Sequence, residues 1–475
     1  MLVVDDPTAS PATDPSEGAA DGAVRGHVLA RIVKAYDVRG RDDELTPAVA
    51  AALGDAVARE LAAPGGELLV GRDMRPSSPA LAAAFAEAVR RAGVGVVDLG
   101  LVSTDAVTYA SGELGLPGAM FTASHNPAGW NGLKLCRAGA VPVAIDSGLA
   151  AVRDAAAAGA GPAAAVPGGL RTFDVMPRFA AHVRGFVDVT RLAGLRVAVD
   201  AGNGMGGLVW PAVTDGLGIT TVPLFLELDG TFPNHPADPL DATNLADLSR
   251  AVVAEGCAVG LAFDGDADRM FAVDAAGAPV DSSLVGAVVA TRTLAREQGA
   301  TVLHNVVCSR DVPEAILRAG GTPVRTRVGH SFIKAEMART GAALGLEHSG
   351  HYYFRDNHRA DSGIIAALLL LEAVAEAGSL AAAVAPFATR VRSGERNHRV
   401  ADPAAAIEAV AAAYADRPQD RLDGLSVDLG PSWFNLRPSN TEPLLRLNAE
   451  APDPAALEAV LAEVGAHLAA STSTA

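Results

Sequence analysis

Ser124 stands in Phe121-Thr122-Ala123-Ser124-His125-Asn126-Pro127, beside a histidine and shortly before a proline that stops any helix running through it. Lys134 follows ten residues later. One exposed loop is therefore expected to offer a hydroxyl, an imidazole and an ammonium to a single small space. Ser, Asn, Pro and Gly also build ordinary surface turns, so the other motifs must decide between a turn and a site.

Asp264, Asp266 and Asp268 alternate directly after the apolar run Ala258–Phe263. On an extended chain alternate side chains project to one side about 7 Å apart, and Gly265 is expected to let the loop curl them closer. Three clustered carboxylates repel one another unless a cation sits among them. Ligation by oxygen alone favours Mg²⁺. A calcium loop of the EF-hand type is excluded, because its glutamate at the twelfth position is missing.

Three further stretches carry polar chemistry. Arg437-Pro438-Ser439-Asn440-Thr441-Glu442-Pro443 combines a guanidinium fork with hydroxyls, an amide and turn N–H groups suited to a phosphate. Gly329-His330-Ser331-Phe332-Ile333-Lys334 ends a strand and opens a helix, where backbone donors are expected to face an anion. Glu347-His348-Ser349-Gly350-His351 offers a carboxylate and a hydroxyl to vicinal sugar hydroxyls. Of 38 basic residues only Lys34, Lys134 and Lys334 are lysine, and all three fall in motif-like stretches. Elsewhere the chain uses arginine, whose planar fork does not replace a point-like ammonium.

Composition bounds the partners. A net charge of −17 argues against nucleic acid or an anionic membrane surface, but not against a small anionic substrate. Cys136, Cys257 and Cys308 lack a CxxC spacing and read as buried small hydrophobes in a reducing, cytoplasmic setting. The apolar stretch Ser362–Ala377 contains Glu372 and Glu376 and fits a core helix better than a membrane span. Residues 1–26, rich in Asp, Pro, Ala and Gly, read as a disordered tail without signal-peptide features.

The elements that must position these motifs follow an α/β pattern. A helix is expected at Thr46–Leu61, a strand at Glu67–Gly71, a helix with Ser78 as N-cap, and a strand at Val94–Leu99. An Ala/Gly/Pro-rich connection, Ala155–Gly169, precedes a second unit with strands at Leu195–Val199 and Ala258–Phe263. A third unit runs from near Asp281 to the helix Ile364–Ala377. A distinct α+β unit with helices Pro403–Ala415 and Pro454–Leu468 closes the chain. The expected units are 27–157, 158–279, 280–385 and 386–475.

Taken in order, the motifs Tyr36–Gly40, Thr122–Pro127, Asp264–Arg269, Gly329–Lys334, Glu347–His351 and Arg437–Pro443 resemble those of the α-D-phosphohexomutases, in particular the phosphomannomutase/phosphoglucomutase branch. The resemblance runs from about Ile32 to the C-terminus. It implies three similar α/β domains with mixed sheets and a C-terminal α+β domain around a central cleft. It also implies a Mg²⁺-dependent interconversion of hexose 1- and 6-phosphates through a phosphoserine at Ser124 and a hexose 1,6-bisphosphate. Ser124, Asp264, Asp266 and Asp268 would hold the metal. Lys134, His125, His330 and Arg269 would serve the transfer. Arg437, Ser439, Asn440 and Thr441 would hold the non-reacting phosphate, Glu347, Ser349 and His351 the sugar, with Tyr36, Arg39 and Gly329 nearby.

The sequence departs from the family pattern at Leu346, where a glycine is usual and an altered turn is expected. It also lacks a lysine usual near Val306-Val307-Cys308. Mannose, glucose and glucosamine remain open as the sugar, as do a monomer or homodimer. A non-catalytic sugar-phosphate binder of the same fold and a simple phosphatase are the competing readings.

Overall fold

Short apolar strands alternate with helices because each strand of a parallel pair needs a crossover to cover the sheet. The computed structural model of the protein describes residues 25–438 and 444–472. Ser439, Asn440 and Thr441 lie outside the described residues, as does the expected tail up to residue 24. Arg25 and Gly26, assigned to that tail, already belong to a helix.

Four sheets form. The first has seven strands, with Gly95–Leu101, Glu67–Arg72 and Gly118–Phe121 parallel neighbours, followed by Trp130–Arg137 and Val38–Arg41 antiparallel. The second places Thr220–Leu224, Arg196–Asp200 and Val259–Phe263 in parallel, then Met270–Asp274 and Pro279–Val280 antiparallel. The third does the same with Thr322–Thr326, Thr301–Asn305 and Leu344–Leu346, then Tyr352–Phe354 and Ala360–Asp361. Three times, then, a third parallel strand turns into an antiparallel fourth. The turns in question are residues 122–129, 264–269 and 347–351, three of the motifs read from the sequence. The fourth sheet is antiparallel and packs against the helices Pro403–Ala413 and Pro454–Thr472.

The cores follow this division unevenly. One buried cluster runs from Leu69 and Met120 through Trp210 and Phe263 to Leu368–Leu371, joining the first three units. The fourth unit keeps a separate core around Val410, Phe434, Leu447 and Val464. Helix Gly363–Ala377 is buried along nearly all its length, and among the described residues no single helix is long and apolar enough to cross a membrane.

Several local expectations need correction. Ser78 is the first residue of its helix rather than its cap, because its hydroxyl donates to Asp73 Oδ1 at 2.6 Å. The connection expected from Ala155 begins later, since helix Leu149–Ala158 continues through Ala155–Ala158. Strand Leu170–Thr172 pairs with Gly95–Leu101, so the first sheet extends past residue 157.

Glu372 is the buried charge of the apolar helix. It accepts from Arg296 at 2.6 Å, from Arg292 Nε at 3.2 Å and from the Asp188 amide at 3.0 Å, tying the second unit to the third. Glu372→Ala leaves those donors without their acceptor. It is expected to lower unfolding stability by about 2–3 kcal/mol, at the low end for a buried pair because Arg296 is partly solvated. Urea unfolding of the two proteins checks this.

Candidate active site

The serine turn is organised from beneath by a residue the sequence reading passed over. Arg75 is 1% exposed, and its guanidinium donates to the carbonyls of Ser124, Asn126, Pro127 and Trp130 at 2.6–2.9 Å. A five-donor fork is the side chain that can hold so many acceptors in one plane. Ser124 itself adopts φ 51°, a left-handed conformation that costs a non-glycine residue on the order of 1 kcal/mol. The loop is not exposed as expected: Ser124 is 4% exposed, and only its far half, around Pro127–Gly129, meets solvent.

The second turn closes directly on the first. A Cβ on Gly265 would meet the Ser124 carbonyl oxygen at 2.4 Å, so glycine is required by close approach. The left-handed position in this turn is Ala267, at φ 64°, and not Gly265. Asp264, Asp266 and Asp268 are 0–2% exposed, and their oxygens gather within 4.8 Å of one another. Ser124 Oγ donates to Asp264 Oδ2 at 2.8 Å and lies 3.3 Å from His125 Nδ1.

Two cations offset part of the carboxylates' charge. Lys134 Nζ donates to Asp266 and Asp268, each at 2.6 Å, and Arg269 Nε donates to Asp264 at 2.9 Å. Burial opposes the charge on Lys134, but the two carboxylates hold it charged, well above the usual lysine range. It stands as a cation shared by the two carboxylates. Burial pushes Asp264 up to about 7 against the pull of Arg269, whereas Lys134 holds Asp266 below the usual carboxylate range despite its burial. Thr104, also unread in the sequence, donates to Asp266 at 2.5 Å.

The donor set fits a hard divalent cation. Among the described residues, Asp266 Oδ1 and Asp268 Oδ1 are buried without a hydrogen-bond partner, and the ligand atoms that Asp264, Asp266 and Asp268 gather are all oxygens.

The third turn docks on the second through a backbone bridge between Arg269 and His351 and a bond from the Met270 amide to the Gly350 carbonyl at 3.2 Å. Leu346 does not distort it: Leu346 is a strand residue paired with Tyr352 and 1% exposed, and the left-handed position falls on Gly350. Glu347, expected to grip a sugar, is 3% exposed and already accepts from the Gly329 amide, Asn305 and Tyr353 at 2.7–3.2 Å. The Gly329 donor expected to face a free anion is thus spent on Glu347. Ser349 is half-buried in the turn. His351 lies 2.9 Å from Asp361, which also pairs with Lys334 at 2.9 Å. Burial opposes protonation of His351, but Asp361 and Asp268 raise it above the ordinary histidine range.

One cavity of about 120 Å³ brings together Ser124, His125, Lys134, Asp268, Arg269, His330, His351, Tyr36 and Arg39. Arg39 fixes the serine turn through Asn126 at 2.6 Å, and Tyr36 stacks edge-on against His330 of the third unit. Arg269, burial and Arg39 push His125 well down, and burial pushes His330 down to about 3, so both imidazoles are neutral near pH 7. Lys334 lines the same cavity, while Lys34 lies outside it, exposed and donating to the Arg31 carbonyl. Arg437 is buried in the fourth sheet beside Glu395, apart from this cavity.

Comparison with known proteins fits this geometry. The four domain families described as phosphoglucomutase/phosphomannomutase domains I, II, III and C-terminal match residues 30–158, 177–277, 281–390 and 395–467. A protein of Xanthomonas campestris named "Phosphohexose mutases" is 40% identical over 430 residues, 89% of this chain and 96% of its own. The chain belongs to the phosphoglucomutase/phosphomannomutase family. A phosphomannomutase of Salmonella montevideo is 39% identical, with 88% and 94% covered. The crystal structure of a phosphoglucomutase/phosphomannomutase family protein from Burkholderia thailandensis superposes with a TM-score of 0.84 at 31% identity, covering 93% of this chain and 97% of that one. Members of this family are isomerases, and the buried acidic cluster lies where the three units converge.

Two outcomes are expected from these contacts. Arg75→Lys keeps the charge but loses most of the carbonyl contacts, so stability should fall by about 2–4 kcal/mol, with a matching loss of isomerase activity; denaturant unfolding and an activity assay read both. His235 presents both ring nitrogens to acceptors, Nε2 to Asp200 at 3.0 Å and Nδ1 to the Pro236 carbonyl at 2.8 Å. Burial disfavours its charge, but Asp200 raises it above its ordinary value. A raised pKa makes this contribution complete below the unfolded value of about 6.5 and lost as pH rises through the folded value. Between about pH 6 and pH 9, spanning that range, the melting temperature of wild type should therefore fall more than that of His235→Gln.

Proposed function

We propose that this phosphohexomutase interconverts the 1- and 6-phosphates of mannose, glucose or both, carrying the phosphoryl group on Ser124. The name of the Salmonella relative supports mannose, and the family description supports both sugars. The observation that carries the reading is the Ser124 hydroxyl, buried, held at φ 51°, and 2.8 Å from one of three clustered carboxylates.

In this reading Ser124, Asp264, Asp266 and Asp268 hold Mg²⁺, which when bound supplies positive charge to the transferring group. The chain's own residues do the rest. The turn clamped by Arg75 fixes the serine oxygen, and the Lys134 and Arg269 charges offset the anion beside it. A phosphoryl group leaves Oγ for a sugar hydroxyl: the Oγ–P bond breaks, a new O–P bond forms, and the hydroxyl proton passes to a neutral imidazole. His125 and His330 both line the cavity in that state. Transfer of the other phosphoryl group of the resulting hexose 1,6-bisphosphate back to Ser124 completes the isomerisation. Arg437, with Ser439, Asn440 and Thr441, is assigned to the non-reacting phosphate. We assign the chain to the cytoplasm as a monomer or homodimer, with one chemical turn in each of 27–157, 158–279 and 280–385 and the phosphate-holding residues in 386–475.

Ser124→Ala should abolish conversion of mannose 1-phosphate to mannose 6-phosphate assayed with a trace of bisphosphate. Mass analysis of the purified wild type should find a phosphate on Ser124. Retention of most activity by the variant sinks the phosphoserine role, and release of inorganic phosphate exceeding isomer formation points to a phosphatase instead.

A further inference from the structure

Arg437 and Arg446 are directly opposed residues on the neighbouring strands Trp433–Pro438 and Leu444–Ala451. Directly opposed residues of an antiparallel pair share a face, so two guanidinium groups stand side by side. Like charges so placed are destabilising, the more so because Arg437 is 5% exposed. Burial, then, needs an anion between them.

Glu395 is that anion. It precedes strand Arg396–Arg399, which flanks Leu444–Ala451 on its other side. Its Oε2 lies 3.2 Å from Arg437 Nη2, and its Oε1 lies 3.2 Å from Arg446 Nη1. Among the described residues, Arg437 Nε and Arg446 Nε are both buried without a hydrogen-bond partner, so Glu395 leaves donors of both forks unused. Glu395 is itself 20% exposed and lines an open cleft of about 670 Å³ that also reaches His348 of the third turn. The cationic field of the pair extends there, since burial first and then Arg437 and Arg446 push His348 down to about 3.

A carboxylate has two oxygens for this pair of forks, whereas a phosphate dianion has three and carries more charge. We propose that Glu395 is the resident anion of a phosphate seat built by Arg437 and Arg446, and that the phosphate of the substrate displaces it. This rests on the assignment of Arg437 to the non-reacting phosphate and adds two residues to it. Arg446 becomes a second phosphate-binding residue. Glu395 becomes an internal competitor that sets how tightly the seat holds its ligand, keeping the pair neutralised between turnovers and easing release of the product phosphate.

Inorganic phosphate is the probe, titrated into the full-length protein at fixed pH and ionic strength and followed by the rise in melting temperature. Glu395→Gln removes the competing charge while keeping the shape, so half-saturation should fall by about tenfold, the scale of one charge-assisted hydrogen bond. Arg446→Gln should raise it by a similar factor. Steady-state assays should show the same ordering in KM for hexose 1-phosphate. An unchanged or weaker phosphate response in Glu395→Gln overturns the proposal, because a carboxylate that merely orients the arginines would weaken binding when neutralised. If that variant does not fold, Arg446→Gln decides alone, and an unchanged half-saturation overturns the proposal. The titration needs no turnover. Failure of the mutase reading would appear separately, as absent isomerisation in wild type with the phosphate response intact.

Discussion

Three carboxylates buried within a few ångströms of one another are the constraint on which the structure turns. Asp264, Asp266 and Asp268 could not remain there unpaired, since burial and mutual repulsion both disfavour their charge. Lys134 arrives from the first sheet and Arg269 from the same turn to offset part of their charge. Lys134 belongs to a different unit from the carboxylates, so its share of the charge compensation exists only when the first two units are docked.

The repeated sheet order explains how that docking is achieved without a long search. Each of the first three units reverses direction after its third parallel strand, and each places its chemistry in that reversal. Ligand-binding residues in open α/β sheets gather at the carboxyl ends of strands, where the order changes and a crevice opens. Here three such ends converge. Gly265 lets the aspartate turn touch the serine carbonyl, and the Arg269–His351 bridge ties the third turn to the aspartate turn. The fourth unit keeps its own core, and Glu395, paired there with Arg437 and Arg446, lines a separate cleft that reaches His348.

Neutral and charged imidazoles sort themselves by neighbour in the same small volume. His125 and His330 lie among cations or apolar walls and stay neutral, whereas His351 lies against Asp361 and Asp268 and is driven towards its charged form. Histidine's ordinary range lies near neutral pH, so modest differences in surroundings are enough to separate the three.

The sequence by itself determined the α/β class, the element order and the chemical identity of the turns. Alternating Asp264, Asp266 and Asp268 after an apolar strand announce an oxygen-ligand cluster, and Ser124 before Pro127 announces a turn nucleophile, because both signals are local. What it could not carry were contacts between residues far apart in the chain. Arg75 read as one arginine in a strand-end loop, yet the tertiary structure makes it the clamp of the serine turn. Thr104, Asn305 and Asp361 gave no local signal at all. Glu347 and Gly329 were legible as polar groups, but only the fold spends one on the other. Burial, too, was decided late: the serine turn has the composition of a surface loop, yet the aspartate turn packs directly on its carbonyl. Local propensity fixes what a segment can become, and the removal of water by a distant segment fixes what its side chains do.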